Sequence, residues 1–198
     1  MSELDKPYYD SQLITYIGNK RKLIHFLNSG FRAIQDKLGK DKLVCLDGFA
    51  GSGAVSRVLK TISSELHTND LEHYSYTCNL AFLLNKSQVN KKKLIKYIHF
   101  LNENKRYSDE IGFIRENYAP KDDNNVQPGE RVFYTNDNAR IIDNVRVLLE
   151  DFPEPYRTLC LAALLVKASI HNNTSGVFKG FHKKDGIGHF GGKGENAL

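Results

Sequence analysis

Cysteine is scarce in this chain and follows no pattern. Cys45, Cys78 and Cys160 lie far apart, are odd in number and form no CxxC pair, which argues against a disulfide framework or a zinc site. Each has apolar neighbours and is expected to be a small buried thiol, in keeping with a reducing, cytoplasmic setting. His171, His182 and His189 show no metal-ligand spacing, so no metal is expected. No apolar run approaches the roughly 18–20 residues of a membrane-spanning helix, and the polar, acidic opening MSELDKPYYD does not read as a secretory signal. There is no internal repeat. Proline is rare as well: Pro7, Pro120, Pro128, Pro153 and Pro155 never occur as an adjacent pair.

What is present is the composition of a soluble globular protein, 40% hydrophobic and 26% charged over 198 residues. That length supports one domain with a sizeable core, or one domain carrying an insertion. The balance of 28 basic against 23 acidic residues, a net charge of +5, is compatible with a polyanionic partner without establishing one.

Along the chain, residues 22–38 place Leu23, Ile24, Leu27, Phe31, Ile34 and Leu38 at helical spacing. The apolar run LVCLDGF at 43–49, between charged residues and a glycine turn, predicts a buried strand of a parallel sheet. A helix is predicted over 52–62, a short strand over 64–71 and a helix over 71–86. Strand, helix, strand, helix predicts an α/β layered core. Residues 90–119 then read as polar and helical, 119–130 as a turn-rich loop, and 137–151 and 155–171 as two further helices. This helical stretch is expected to be an insertion, giving three regions: 1–89, 90–175 and 176–198. Seven of the 15 glycines fall between 176 and 194, interleaved with lysines, and this last region is expected to be mobile or ordered only by a partner.

The segment Leu46-Asp47-Gly48-Phe49-Ala50-Gly51-Ser52-Gly53 lies where the first strand meets a helix. Gly51 and Gly53 permit a tight turn and close backbone approach to a ligand. Amide donors at the helix start make a seat for a carboxylate or phosphate. Asp70, just past the second strand, is suited to gripping the two hydroxyls of a ribose. The loop is not GxxxxGK[ST], which disfavours a nucleotide triphosphatase. Earlier, Tyr16-Ile17-Gly18-Asn19-Lys20 precedes the first helix. There Lys20 would pair with a cofactor carboxylate and Tyr16 would pack on a ring, the alternative being a capped helix start with solvated basic residues.

Taken together, Tyr-Ile-Gly-Asn-Lys, then Asp-Gly-Phe-Ala-Gly-Ser-Gly, then Asn-Asp at the next strand end resemble the D12 class of adenine-specific DNA methyltransferases. The stretches Glu130 to Ala139 and Lys167 to Gly176 extend that resemblance over nearly the whole chain. It implies a Rossmann-like methyltransferase core with an inserted helical subdomain, and a pocket for S-adenosylmethionine. Tyr16, Gly18 and Lys20 would correspond to the N-terminal cofactor motif, Asp47, Phe49, Gly51 and Gly53 to the loop under the methionine moiety, and Asp70 to the ribose ligand. It also implies double-stranded DNA as partner, with Lys179, Lys183 and Lys184 meeting phosphates and Phe181, His182 and Phe190 meeting bases.

The family's chemistry rests on a later motif: an acidic residue, or Asn or Ser, then Pro-Pro and Tyr or Phe, which holds a flipped adenine. That motif is not in these 198 residues. Phe152-Pro153-Glu154-Pro155-Tyr156 comes nearest, but it lacks the double proline and leads into a helix. The expected function is therefore an N6-adenine DNA methyltransferase of a restriction–modification or DNA-marking system, present as a truncated or split chain that is inactive alone. The alternative is a catalytically inactive module binding S-adenosylmethionine or DNA. An incomplete sheet would also expose an edge and apolar surface, which predicts a second polypeptide or a homo-oligomer.

Overall fold

The computed structural model describes residues 8, 13–14, 20–174 and 178–191. The chain divides into two compact units, Met1–Gln88 and Val89–Leu198.

In the first unit, a single 3-10 turn leads into α1 (Ile24–Leu38). Gly39 ends α1 because it takes the left-handed conformation, φ 60°, and donates its N–H back to Asp36. The buried Gln35 carboxamide then donates to the Asp41 carbonyl at 2.6 Å, steering the chain into β1 (Leu43–Asp47). A glycine loop follows, then α2 (Ala54–Ile62), which runs without a break into β2 (Ser63–Thr68). The two strands pair in parallel, with Asp47 opposite Thr68 and one irregularity near Leu43. Ile24, Ala54 and Val58 form the core between α1 and α2, with Phe31 packed against them. α3 (His73–Phe82) closes the unit, and the Lys60 ammonium donates to the Leu83 and Leu84 carbonyls at its C-terminal end. Burial lowers the pKa of Lys60.

Three boundaries differ from the sequence pattern, each for a local reason. α2 begins at Ala54 rather than 52, because Gly53 sits at φ 75°. β2 stops at Thr68, because Asn69 turns back on the loop, donating its N–H to Asp47 and accepting from Ala50. α3 begins at His73, after the Asp70 carboxylate has accepted the Glu72 N–H at 3.0 Å.

The second unit is helical. α4 (Lys91–Asn104) is started by the Asn90 side chain, which accepts from the Lys93 N–H. α5 (Phe113–Tyr118), α6 (Asn136–Leu148) and α7 (Tyr156–Ile170) follow. The predicted polar helix over 90–119 is thus two helices separated by turns. Val145, Leu149, Phe152 and Cys160 make one core, with the Tyr97 and Phe152 rings 4.3 Å apart. Ala119, Tyr134 and Ala139 make another. Phe152 and Tyr156 are both buried, so the proline-bearing look-alike is a structural corner.

The glycine-rich stretch, expected to build no core, carries a hairpin in its described part. β3 (Lys183–Lys184) pairs antiparallel with β4 (Ile187–Gly188). Phe178 stacks on Phe133 at 4.5 Å, and Phe181 meets the same ring edge-on at 5.1 Å. Buried Gly188 lies so close to Val132 that a Cβ there would be 2.9 Å from a valine methyl. The composition of the stretch is polar, but these aromatic anchors reach back to Phe133.

Candidate functional site

The Asp47–Gly53 loop is fastened at every turn. Asp47 leaves β1 half-buried, and one of its carboxylate oxygens accepts from the buried Ser56 hydroxyl at 2.6 Å. Gly53 donates its N–H to Ala50 and accepts from Arg57, opening α2. Gly51 is at φ 52° and Gly53 at φ 75°, left-handed values that favour glycine. Gly51, Ser52 and Gly53 are all buried.

Asp70 ties β2's end to this loop. One carboxylate oxygen accepts the Gly51 N–H at 2.7 Å and the other the Glu72 N–H. These backbone bonds, the Glu72 one foremost, hold its carboxyl below the usual carboxylate range. Asn69 adds a side-chain bond to the Gly48 carbonyl at 3.1 Å. Asp47, Gly51, Gly53 and Asp70 are therefore brought together, as their order in the sequence predicts. Phe49 stands at the loop's crown, 93% exposed. A groove of about 360 Å³ runs beside the loop, lined by Phe31, Cys45, Asp47, Phe49 and Leu59 among others.

Lys20 is exposed, and its carbonyl accepts the Leu23 N–H at 2.8 Å where the first helical turn begins. Tyr16 and Gly18 lie outside the described residues. Lys179, Lys183 and Lys184 are exposed around the hairpin of the second unit. Phe181 is half-buried against Phe133, with the Lys183 ammonium 5.2 Å above its ring, so packing already engages it where base contact was expected.

Three loop-supporting residues carry no motif. Arg57, 2% exposed, directs its guanidinium at the Gly53 and Tyr8 carbonyls and lies 5.5 Å over the Tyr8 ring. Ser75 and Asn79 are buried on α3 behind the loop. Their only trace in the sequence is a polar pair at i, i+4 within an otherwise apolar stripe. Among the described residues no helix is long and apolar enough to cross a membrane, and no cluster of His, Cys, Asp and Glu could hold a metal ion.

The chain is similar to several known methyltransferases. A type II methyltransferase, M.NlaIII of Neisseria lactamica, is 29% identical over 176 residues, covering 86% of this chain and 49% of its own. M.CviAII of Paramecium bursaria Chlorella virus 1, also a type II methyltransferase, is 31% identical over 176 residues, 86% of this chain and 50% of its own. The modification methylase LlaI of Lactococcus lactis subsp. lactis is 28% identical over 179 residues, 85% of this chain and 27% of its own. The chain thus spans half the length, or less, of these curated relatives. No solved structure matches it. The profile of one family covers residues 16–187, and the chain belongs to that family, the D12 class N6 adenine-specific DNA methyltransferases.

Proposed function

We propose that the first unit seats S-adenosylmethionine on the Asp47–Gly53 loop, within an adenine-N6 DNA methyltransferase of a restriction–modification or DNA-marking system. One observation carries this reading: Asp47, two left-handed glycines and Asp70 form a single hydrogen-bonded loop at the carboxyl end of β1. The residues fit the cofactor chemically. Asp70 is a carboxylate acceptor of the kind that suits ribose hydroxyls, held against the loop by the Gly51 and Glu72 N–H groups. Asp47 would accept from the cofactor's ammonium. Phe49 offers an apolar wall, and Tyr16, Gly18 and Lys20 complete the set, Lys20 toward the cofactor's carboxylate.

When bound, S-adenosylmethionine supplies an electrophilic methyl on its sulfonium, which the N6 of an adenine accepts with loss of a proton. The residues of this chain bind and orient. The acidic-Pro-Pro-aromatic motif that would hold the adenine is not among the 198 residues, so they do not transfer the methyl by themselves. A segment that supplies the motif, continuous with this chain or on a second polypeptide, completes the enzyme. In this reading β1, α2 and β2 belong to a Rossmann-like core, 90–175 is an inserted helical subdomain, and the exposed Lys179, Lys183 and Lys184 meet the phosphates of double-stranded DNA. The exposed apolar side chains Val44 and Leu46 on β1 favour a covering partner or a second copy.

Calorimetry with S-adenosylmethionine tests the pocket: a folded chain that gives no heat overturns it. Transfer of tritiated methyl to DNA by the chain alone overturns the claim that it needs another segment. The same missing motif favours a second reading, an inactive module that binds cofactor or DNA. Addition of the acidic-Pro-Pro-aromatic portion of a relative separates the two, since restored transfer fits only the enzyme.

A further inference from the structure

Asn79 on α3 touches both glycines of the loop with one carboxamide. It is 5% exposed. Its Nδ2 donates to the Ser75 carbonyl at 2.9 Å, to the Ser75 hydroxyl at 3.2 Å and to the Gly51 carbonyl at 3.4 Å. Its Oδ1 is buried with no hydrogen-bond partner among the described residues. That oxygen stands 2.7 Å from where a Cβ on Gly53 would be. A buried acceptor without a donor is unfavourable, so something must hold the amide this way round. The reversed amide would turn its oxygen onto the Ser75 and Gly51 carbonyls, placing acceptor against acceptor. The network decides the orientation, and the orphaned oxygen is its consequence.

Gly51 is thereby held on both sides. Its N–H goes to Asp70 at the end of β2, and its carbonyl takes the Asn79 amide from α3. The Ser75 hydroxyl in turn accepts from Asn79. Asp70, Gly51, Asn79 and Ser75 make a continuous chain of polar contacts through one peptide. Such networks are worth more than their separate bonds.

We infer that Asn79 is a positioning residue which sets the curvature of the Asp47–Gly53 loop and, through it, the affinity for the cofactor. The second half of this inference rests on the reading of that loop as the S-adenosylmethionine seat.

The experiment uses the 198-residue chain, with S-adenosylmethionine as the calorimetric probe and amide hydrogen exchange at Gly51 as a cofactor-free readout. Asn79→Asp keeps the shape but sets an acceptor against the two carbonyls, and Asn79→Ala removes the amide without adding charge. Cys78→Ala, one position away on α3 in a fully buried place, is the control for general loss of packing. Either Asn79 variant should weaken cofactor binding about tenfold, equivalent to roughly 1.4 kcal/mol, and speed exchange at Gly51. Cys78→Ala should lower the melting temperature and leave both readouts unchanged. Wild-type affinity and exchange in a folded Asn79→Ala overturn the inference, and so does an equal loss in Cys78→Ala. If the unaltered chain does not bind S-adenosylmethionine, the functional reading fails, and exchange at Gly51 still decides whether Asn79 shapes the loop.

Discussion

Gly53 carries two constraints on one Cα. Its φ of 75° lies where a side chain costs about 1–2 kcal/mol, and any Cβ would fall 2.7 Å from the Asn79 oxygen. That oxygen belongs to an amide locked by Ser75 and Gly51, so it cannot swing aside freely. Gly53→Ala should lower the melting temperature of the first unit by roughly 4–16 °C from the backbone term alone, on the usual conversion for a unit of this size. A melt within 2 °C of the unaltered chain, on the order of a few tenths of a kcal/mol, would show that the loop relaxes. Both glycines and Asp70 are legible in the sequence because turn chemistry and strand-end position are local. Arg57 and Asn79 are not. Arg57 reads as an ordinary helical arginine until the fold brings Tyr8 and the Gly53 carbonyl to it.

At the scale of elements, helix existence follows from periodicity, whereas helix ends follow from side chains far along the chain. α5 starts where it does because Asp143 of α6 accepts the Ile114 and Arg115 N–H groups at 2.9 and 2.8 Å. No pattern within 113–118 announces that cap. The start of α6 has its own charge arrangement. Asp137 accepts from the Arg106 Nε at 3.0 Å and from Arg140 at 2.7 Å, and sits in the helix's first turn, where a negative charge is favoured. The Arg106 guanidinium, more than any other group, pushes the Asp137 carboxyl down to about 2. An unfolded aspartate titrates near 3.9. A depressed folded value means that the stabilisation is present above about 3.9 and is lost as pH falls toward 2. Because the carboxylate is 44% exposed, solvent screening limits the contribution to about 1 kcal/mol or less. Asp137→Asn should therefore melt below the unaltered chain at pH 6, with the gap closing near pH 2 and narrowing in about 1 M salt. A gap that persists unchanged at pH 2 would assign the effect to packing.

The two units have separate cores, and the cysteines report on them separately. Cys78 is fully buried in the first unit, and desolvation pushes its thiol up to about 11. Cys160 lies in the Val145–Phe152 core of the second, its pKa also raised by burial. Cys45 is half-buried on β1 and lines the open groove. The thiolate is the reactive form, so at pH 8 a disulfide reagent should modify Cys45 in the folded chain and leave Cys78 and Cys160 untouched. As denaturant rises, Cys78 should become reactive with loss of the first core and Cys160 with loss of the second, giving each unit its own midpoint by peptide mass analysis. The strand that carries Cys45 bears on a further property of the whole molecule. Val44 and Leu46, on the face opposite Cys45, are 68% and 69% exposed, an apolar face of the kind that draws a partner. If a second copy covers that face, the mass seen by light scattering rises with protein concentration, and Val44→Lys with Leu46→Lys abolishes the rise. A mass independent of concentration would count against self-association, and prompt labelling of Cys78 in the folded chain would overturn the packing of α3 behind the loop.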